Sequence, residues 1–290
     1  MIEIYHVSDL HIGKDTRKAK RLLKRIKDKF EIGVQENRYL LVTGDITQDG
    51  LKRQYKMALK ALAPFKDKAW IAPGNHDYGW FGFIYSEHRA KNFDGLLAGG
   101  LGIDHQFFPK APFSKLIEDG KGNKVLLIGL NSCLKTSSWL DIAKGEIGNE
   151  QRNDLEGILT ESDYQNIPKI VFLHHIPHKR AHGPGMSLKD FSELMDIVRD
   201  KVDALSFGHE GKMEDADPEI AKKKKISDRD LNRLIDIKEM DLPVREMKLR
   251  SGKSQGIRYY LDANYSVKEQ ACYRIKIEGS KVSARFLRLA

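Results

Sequence analysis

Aspartate, asparagine and histidine recur in five short stretches of this chain. They are Asp9 and His11 in "SDLH", Asp45 in "TGDITQDG", Asn75 and His76 in "GNHD", His174 and His175 in "LHHIP", and His209 in "FGHE". The chemistry these side chains share is metal ligation. Aspartate offers an anionic oxygen able to bridge two cations, asparagine a neutral carbonyl oxygen, and neutral histidine a ring nitrogen. A nitrogen and oxygen donor set without thiolate favours Mn, Fe or Zn. Two such cations close together activate a water between them and polarise a phosphoryl oxygen, the two-metal route to in-line displacement.

Taken singly, each stretch has a plainer reading, because Gly, Asn and Asp are ordinary turn residues. A lone D-x-H arises by chance about once in two or three chains of this size, whereas GNHD arises on the order of once per thousand. What the stretches have in common is their place. Each follows an apolar run: residues 2–7, 39–43, 69–73, 170–173 and 204–207 read as strands, with another at 124–130. Between them, Leu22, Leu23, Ile26 and Phe30 sit at helical spacing within 16–32, and further helices fit 54–65, 150–159 and 188–198. Strands alternating with helices imply parallel pairing, and ligands of such sheets gather beyond the carboxyl ends of the strands. The last third reads differently. Residues 256–262, 271–278 and 281–289 form successive strands of an antiparallel meander, the last two joined at Gly279-Ser280. A mixed, layered α/β or α+β architecture follows.

With 290 residues, 40% of them hydrophobic, the chain fits one large domain spanning 1–290. A segment at 212–255 is dense in both charges, includes four consecutive lysines at 222–225, and has no sustained apolar stripe; it reads as a charged insertion. Cys133 and Cys272 are too few for a structural zinc site and suit a reducing compartment, leaving one bridge open. No basic-then-apolar leader opens the chain, and no apolar run approaches the roughly 20 residues of a membrane span, so a cytoplasmic protein without a transmembrane segment is expected. A net charge of +9 suits an anionic partner, whether nucleic acid, phospholipid surface or phosphate ester, or equally a charge kept for solubility.

In order and spacing, the stretches from Asp9 to His209 resemble the calcineurin-like metallophosphoesterases, whose pattern is D-x-H, G-D, G-N-H-[DE], H, then G-H-x-H. The resemblance implies a four-layer αββα sandwich of two mixed sheets flanked by helices. It implies two divalent or mixed-valence transition-metal ions, Mn, Fe or Zn. Asp9 and His11 would bind the first, Asp45 would bridge both, and Asn75 and His209 would bind the second together with His174 or His175. The H-x-P spacing to Pro177 points to His175; counting from the strand end points to His174. His76 would serve as general acid opposite a metal-bridging hydroxide. The segments "LIGLNSC", "GEIGNEQRNDLEGIL" and "GIRYYLDANYS" are most similar to the class III cyclic-nucleotide phosphodiesterase branch.

The expected activity is hydrolysis of phosphodiesters or phosphomonoesters, with a small phosphate ester, cyclic nucleotides included, as substrate. Two departures bear on it. Gly211 stands where the family places the second histidine of G-H-x-H, which leaves the first ion with Asp9, His11 and Asp45 unless Glu210 turns inward. Gln48 stands where related Ser/Thr protein phosphatases carry an aspartate that orients the acid histidine, with Asp49 beside it. Two other readings stay open. One is a metal-dependent nuclease of DNA or RNA whose lysines at 222–225 touch phosphates. The other is a binding protein with a degraded metal site.

Overall fold

The computed structural model describes residues 1–80, 84–104, 107, 111–135, 144–177, 188–209, 257–263 and 266–289. The charged segment expected at 212–255 therefore lies outside the described residues, as do Glu210 and Gly211. Strand β1 (Ile2–Val7) leads to α1 (Thr16–Phe30), β2 (Arg38–Thr43), α2 (Lys52–Leu62) and β3 (Ala69–Ala72). There follow α3 (Asn75–Tyr78), the small ribbon β4 (Gly79–Trp80) and β5 (Ile84–Tyr85), and α4 (Glu87–Asn92). Next come β6 (Phe113–Glu118), β7 (Lys124–Gly129), α5 (Gly148–Thr160), β8 (Lys169–Phe172), α6 (Phe191–Val198) and β9 (Ala204–Phe207). The chain closes with β10 (Tyr259–Asp262), a short helix at Ser266–Glu269, and the hairpin of β11 (Ala271–Glu278) and β12 (Lys281–Arg288).

These strands make two five-stranded mixed sheets, ordered β12-β11-β1-β2-β3 and β10-β9-β8-β7-β6. In the first, β1, β2 and β3 are parallel, and the terminal hairpin adds antiparallel strands on the β1 side. In the second, β7 to β10 are parallel and β6 is an antiparallel edge. Two expectations change here. The first strand of the supposed C-terminal meander is β10, which leaves the hairpin and pairs parallel with β9 in the other sheet. Strand β6, with the burial pattern of an edge, was not legible as a strand at all.

The layering follows from side-chain alternation. Val125, Leu127, Ile170 and Phe172 share one core with Ile4, Leu41 and Ile275 of the first sheet. Their neighbours Leu126, Ile128, Val171 and Leu173 turn the other way, into a second core with Leu155 and Leu159 of α5 and Leu194 and Val198 of α6. Successive strand residues point to opposite faces, so each strand of the second sheet serves both cores. On the far side of the first sheet, α1 buries Ala19, Leu22, Leu23, Ile26 and Phe30, and Phe30 stacks on Tyr5 with ring centroids 4.0 Å apart. The result is the αββα sandwich. Helix α1 stops at Phe30, two residues short of the expected end, because Glu31 turns left-handed at φ 48°. Both cysteines are buried and free. No helix among the described residues is long and apolar enough to cross a membrane.

Leu127 is fully buried between the sheets. Leu127→Ala is expected to lower stability by about 2–5 kcal/mol through lost burial and a residual cavity, measured as a fall in the urea midpoint without a change in slope.

Candidate metal centre

Five strands end at one edge, and the sequence-derived candidates stand just past them. Asp9 and His11 follow β1, Asp45 follows β2, Asn75 and His76 open α3 after β3, His174 and His175 follow β8, and His209 follows β9. Asp9, His11, Asp45, His174, His175 and His209 are buried; Asn75 and His76 are half-buried. Four of them have left-handed backbone: Asp9 at φ 55°, His11 at 42°, Asp45 at 49° and His209 at 76°. For residues with a Cβ this conformation is strained and persists only where the surroundings impose it. Here the imposition is visible. The β1 and β2 loops go on pairing beyond their strands, with the N–H groups of Asp9, His11 and Ile12 donating to the carbonyls of Gly44, Asp45 and Ile46 at 3.2, 2.9 and 2.9 Å.

Two motif glycines are explained by close approach. A Cβ on Gly208 would lie 1.7 Å from Ser8 Oγ and 2.6 Å from Asp9 Oδ2, and one on Gly74 would lie 2.2 Å from Asp45 Oδ1. Each glycine thus lets one ligand loop press against another. The contact is used at once: the His209 N–H donates to Asp9 Oδ2 at 3.2 Å, and the His76 N–H to Asp45 Oδ1 at 2.9 Å.

Asp45 sits between two groups of donors. Its Oδ1 is 3.4 Å from His174 Nε2, and its Oδ2 is 3.8 Å from His11 Nε2, which is also 3.8 Å from Asp9 Oδ1. His174 Nε2 in turn lies 3.1 Å from Asn75 Oδ1 and 3.0 Å from His209 Nδ1. His174 Nδ1–H is committed to the Thr43 carbonyl at 2.8 Å, so Nε2 is the atom that faces this group. Lone-pair atoms packed this closely repel unless a proton or a cation lies among them, and carboxylate oxygen with imidazole nitrogen is a donor set for a borderline metal. The residues therefore fit a pair of metal ions.

His175 takes a different place from its neighbour. Its Nδ1 meets Ser132 Oγ at 2.9 Å, its N–H also donates to Ser132 Oγ at 3.2 Å, and its Nε2 has no hydrogen-bond partner among the described residues. Both rings lie close to that of His209, with centroids 4.9 Å away for His174 and 4.5 Å for His175, but of the two adjacent histidines His174 is the one whose Nε2 meets Asp45 and Asn75. Judged by proximity alone, His11, Asp45 and His76 form one group and Asp45, His174 and His209 another, each with ligand atoms within 4.8 Å. That criterion puts His76 where Asp9 was expected. Asp9 is the better candidate, because it is buried, a carboxylate and already aimed at His11.

Electrostatics favour positive charge at this edge. Burial works against ionisation of His174, yet the carboxylates of Asp45 and Asp9 offset it and raise its pKa to about 9. Burial likewise opposes the charge on Asp45, but the imidazoles of His174 and His76 hold it well below the usual carboxylate range. His11 is pushed down to about 4 chiefly by burial. A cation here would meet the ionised carboxylate of Asp45 and the neutral imidazole of His11, and would take the place of the proton that Asp45 and Asp9 favour on His174.

The sequence reading missed the groups behind these donors. Asp77 is fully buried, with Oδ1 accepting from the Thr47 N–H at 2.8 Å and Thr47 Oγ1 at 2.9 Å, and Oδ2 from the N–H groups of Ile46 at 3.1 Å and Gly74 at 3.0 Å. It clamps the Asp45 loop to the start of α3. Burial, followed by the Asp45 charge, pushes Asp77 up to about 6. Its signal was available: an acid three residues after the glycine that precedes a helix is a capping position. His76 is oriented by a main-chain group, its Nδ1–H donating to the Gln48 carbonyl at 2.7 Å. Asp49 is engaged elsewhere, accepting from Gln54 Nε2 at 3.0 Å.

Asp77→Ala would strand three buried N–H groups and a hydroxyl. A loss of at least about 3 kcal/mol is expected, seen in thermal or urea unfolding, with secondary structure intact by circular dichroism.

Known proteins share the family pattern and the fold of this chain. The profile of the calcineurin-like phosphoesterases matches residues 2–213. A probable cyclic nucleotide phosphodiesterase of Vesicomyosocius okutanii subsp. Calyptogena okutanii (strain HA) is 29% identical over 220 residues, covering 71% of this chain and 77% of that protein. Among solved structures, the sulfate thiohydrolase SoxB of Thermus thermophilus superposes with a TM-score of 0.52 at 10% identity, over 99% of this chain and 56% of that one. The NAD nucleotidase NadN of Haemophilus influenzae gives 0.51 at 13%, over 99% and 55%. At such identities the structural likeness speaks for the fold alone. The family profile spans most of the chain, including every strand that carries a donor to this edge, and the chain belongs to the calcineurin-like phosphoesterases, a family of phosphoester hydrolases.

Proposed function

We propose that the chain hydrolyses small phosphodiesters or phosphomonoesters with a pair of transition-metal ions held by Asp9, His11, Asp45, Asn75, His174 and His209. The observation that carries the reading is Asp45, whose two oxygens face two different groups of donors. When bound, such a pair polarises a phosphoryl oxygen and lowers the pKa of water. Asp45 would bridge the two positions, with Asp9 and His11 on one side and Asn75, His174 and His209 on the other. The likeness to a probable cyclic nucleotide phosphodiesterase supports cyclic nucleotides as one candidate substrate.

His76 is assigned the leaving-group proton. The Gln48 carbonyl accepts its Nδ1–H in both protonation states, so Nε2 is the nitrogen that takes up and gives the proton. Being half-buried, the ring is reachable by a substrate. Its edge-on approach to His11, with centroids 4.9 Å apart, places it next to the donors.

Metal content tests the first assignment. Wild-type protein is expected to take up as many as two ions of Mn, Fe or Zn, and Asp45→Ala to lose both, because the ions repel each other without a bridging carboxylate. Elemental analysis finding no uptake by the wild type would sink the reading. Kinetics test the second. His76→Asn is expected to retain metal and lower turnover by about 100- to 10,000-fold, less for a nitrophenyl ester, whose leaving group needs little protonation, than for an alkyl ester. Equal losses on both substrates, or loss of bound metal, would make His76 a ligand or a structural residue.

A further inference from the structure

The positive charge of this protein is concentrated on one helix. Helix α1, TRKAKRLLKRIKDKF, holds eight lysines and arginines against one acid, Asp28, a net of +7 where the whole chain has +9. Its apolar residues turn to the first sheet, which leaves Arg17, Lys18, Lys20, Arg21 and Lys24 on the outer face. Ion pairing accounts for little of this. Lys18 lies 3.5 Å from Asp15, and Lys24 pairs with Asp28; Lys20, Arg21 and Lys29 have no ion pair among the described residues. Helix stability does not account for it either. Like charges four residues apart, as in Arg17 with Arg21 and Lys20 with Lys24, destabilise a helix, and cations in the first turn oppose its dipole.

The charge continues onto the sheet beside α1. Tyr5, which stacks on Phe30 of α1, pairs across the ladder with Arg274, and Arg274 pairs with Arg285. Both arginines therefore lie on the α1 side of the sheet, opposite each other, where like charges repel. Arg274, Lys276 and Arg38 share the one buried Glu3 between them, at 3.9, 3.7 and 2.9 Å from its carboxylate, so a single acid answers three cations. Surfaces kept merely soluble mix both signs. This one works against its own helix and its own ladder, as a surface does when an anionic partner neutralises it.

We propose that α1, with Arg274 and Arg285, docks a duplex nucleic acid by its phosphates. The exposed residues of α1 include no aromatic side chain, so there is no platform on which the bases of a single strand could stack. Its apolar face is buried in the protein and has nothing to insert among acyl chains, which disfavours a membrane surface. The 15 residues of the helix span about 22 Å, the rise of about six base pairs. Helix α1 begins five residues after His11, so a backbone lying along it runs toward the edge with the candidate metal centre. The surface stands apart from the hydrolytic reading, because binding is measured without turnover.

The test is fluorescence anisotropy of the full chain with labelled DNA and RNA duplexes of about 30 base pairs, titrated from about 50 to 200 mM salt. Wild-type protein is expected to bind at low salt and to weaken steeply as salt rises. In the triple variant Lys20→Gln, Arg21→Gln and Lys24→Gln, the slope of log affinity against log salt is expected to be shallower by about 2.7, or about 0.9 for each phosphate no longer neutralised. Glutamine is a good helix former and relieves the like-charge repulsion, so the melting temperature and the hydrolysis of an aryl phosphate are expected to hold. Absence of duplex binding at low salt overturns the proposal, as does a variant that keeps the wild-type slope. Binding to phosphatidylserine vesicles without binding to either duplex overturns it in favour of a lipid surface.

Discussion

The bond from His174 Nδ1–H to the Thr43 carbonyl, 2.8 Å long and fully buried, joins the two sheets at the edge where the donors meet. It fixes the tautomer of His174 and turns Nε2 toward Asp45, Asn75 and His209. The same carbonyl accepts from Ser8 Oγ at 2.7 Å, and the Thr43 hydroxyl meets His6 Nε2 at 2.8 Å. One residue at the end of β2 thereby aligns the loop after β1 with the loop after β8. Without that alignment, the halves of the sandwich could pack well and still leave the donors out of register.

Much of this was legible in the sequence because two strong signals coincide in it. Apolar runs bounded by Asp, Asn or His marked β1, β2, β3, β8 and β9 and the donors they deliver, and burial on one or both faces makes such strands periodic or continuously apolar. Strand β6 escaped because an edge strand is half solvated and FSKLIE has a weak alternation. Strand β10 was visible as a strand but not as a member of the second sheet, since pairing partners are set by packing that a local pattern does not encode. The choice between His174 and His175 turned on which ring meets Asp45, a matter of loop path. Main-chain acceptors such as the Gln48 carbonyl leave no trace in residue type, whereas Asp77 left one in its capping position.

Inside and outside, the molecule has opposite electrostatic character. At the strand ends, ionised Asp45 is drawn into a low-dielectric space where burial holds His11 neutral, so the interior invites cations. Across the first sheet, α1 presents a dense positive surface to solvent. Helix α1 starts from that edge, five residues after His11, and lies on the outer face of the sheet. Each charge is thus answered from a different direction.

The left-handed backbone at Asp9, His11, Asp45 and His209 sets stability against the proposed ligation. Each such residue costs on the order of 1–2 kcal/mol that glycine would not. Glycine at any of the four would relax its loop and delete a donor in the same step. Neutral drift toward a more robust chain therefore leads away from this edge, and a descendant freed from catalytic selection would lose these four residues early while keeping its sandwich.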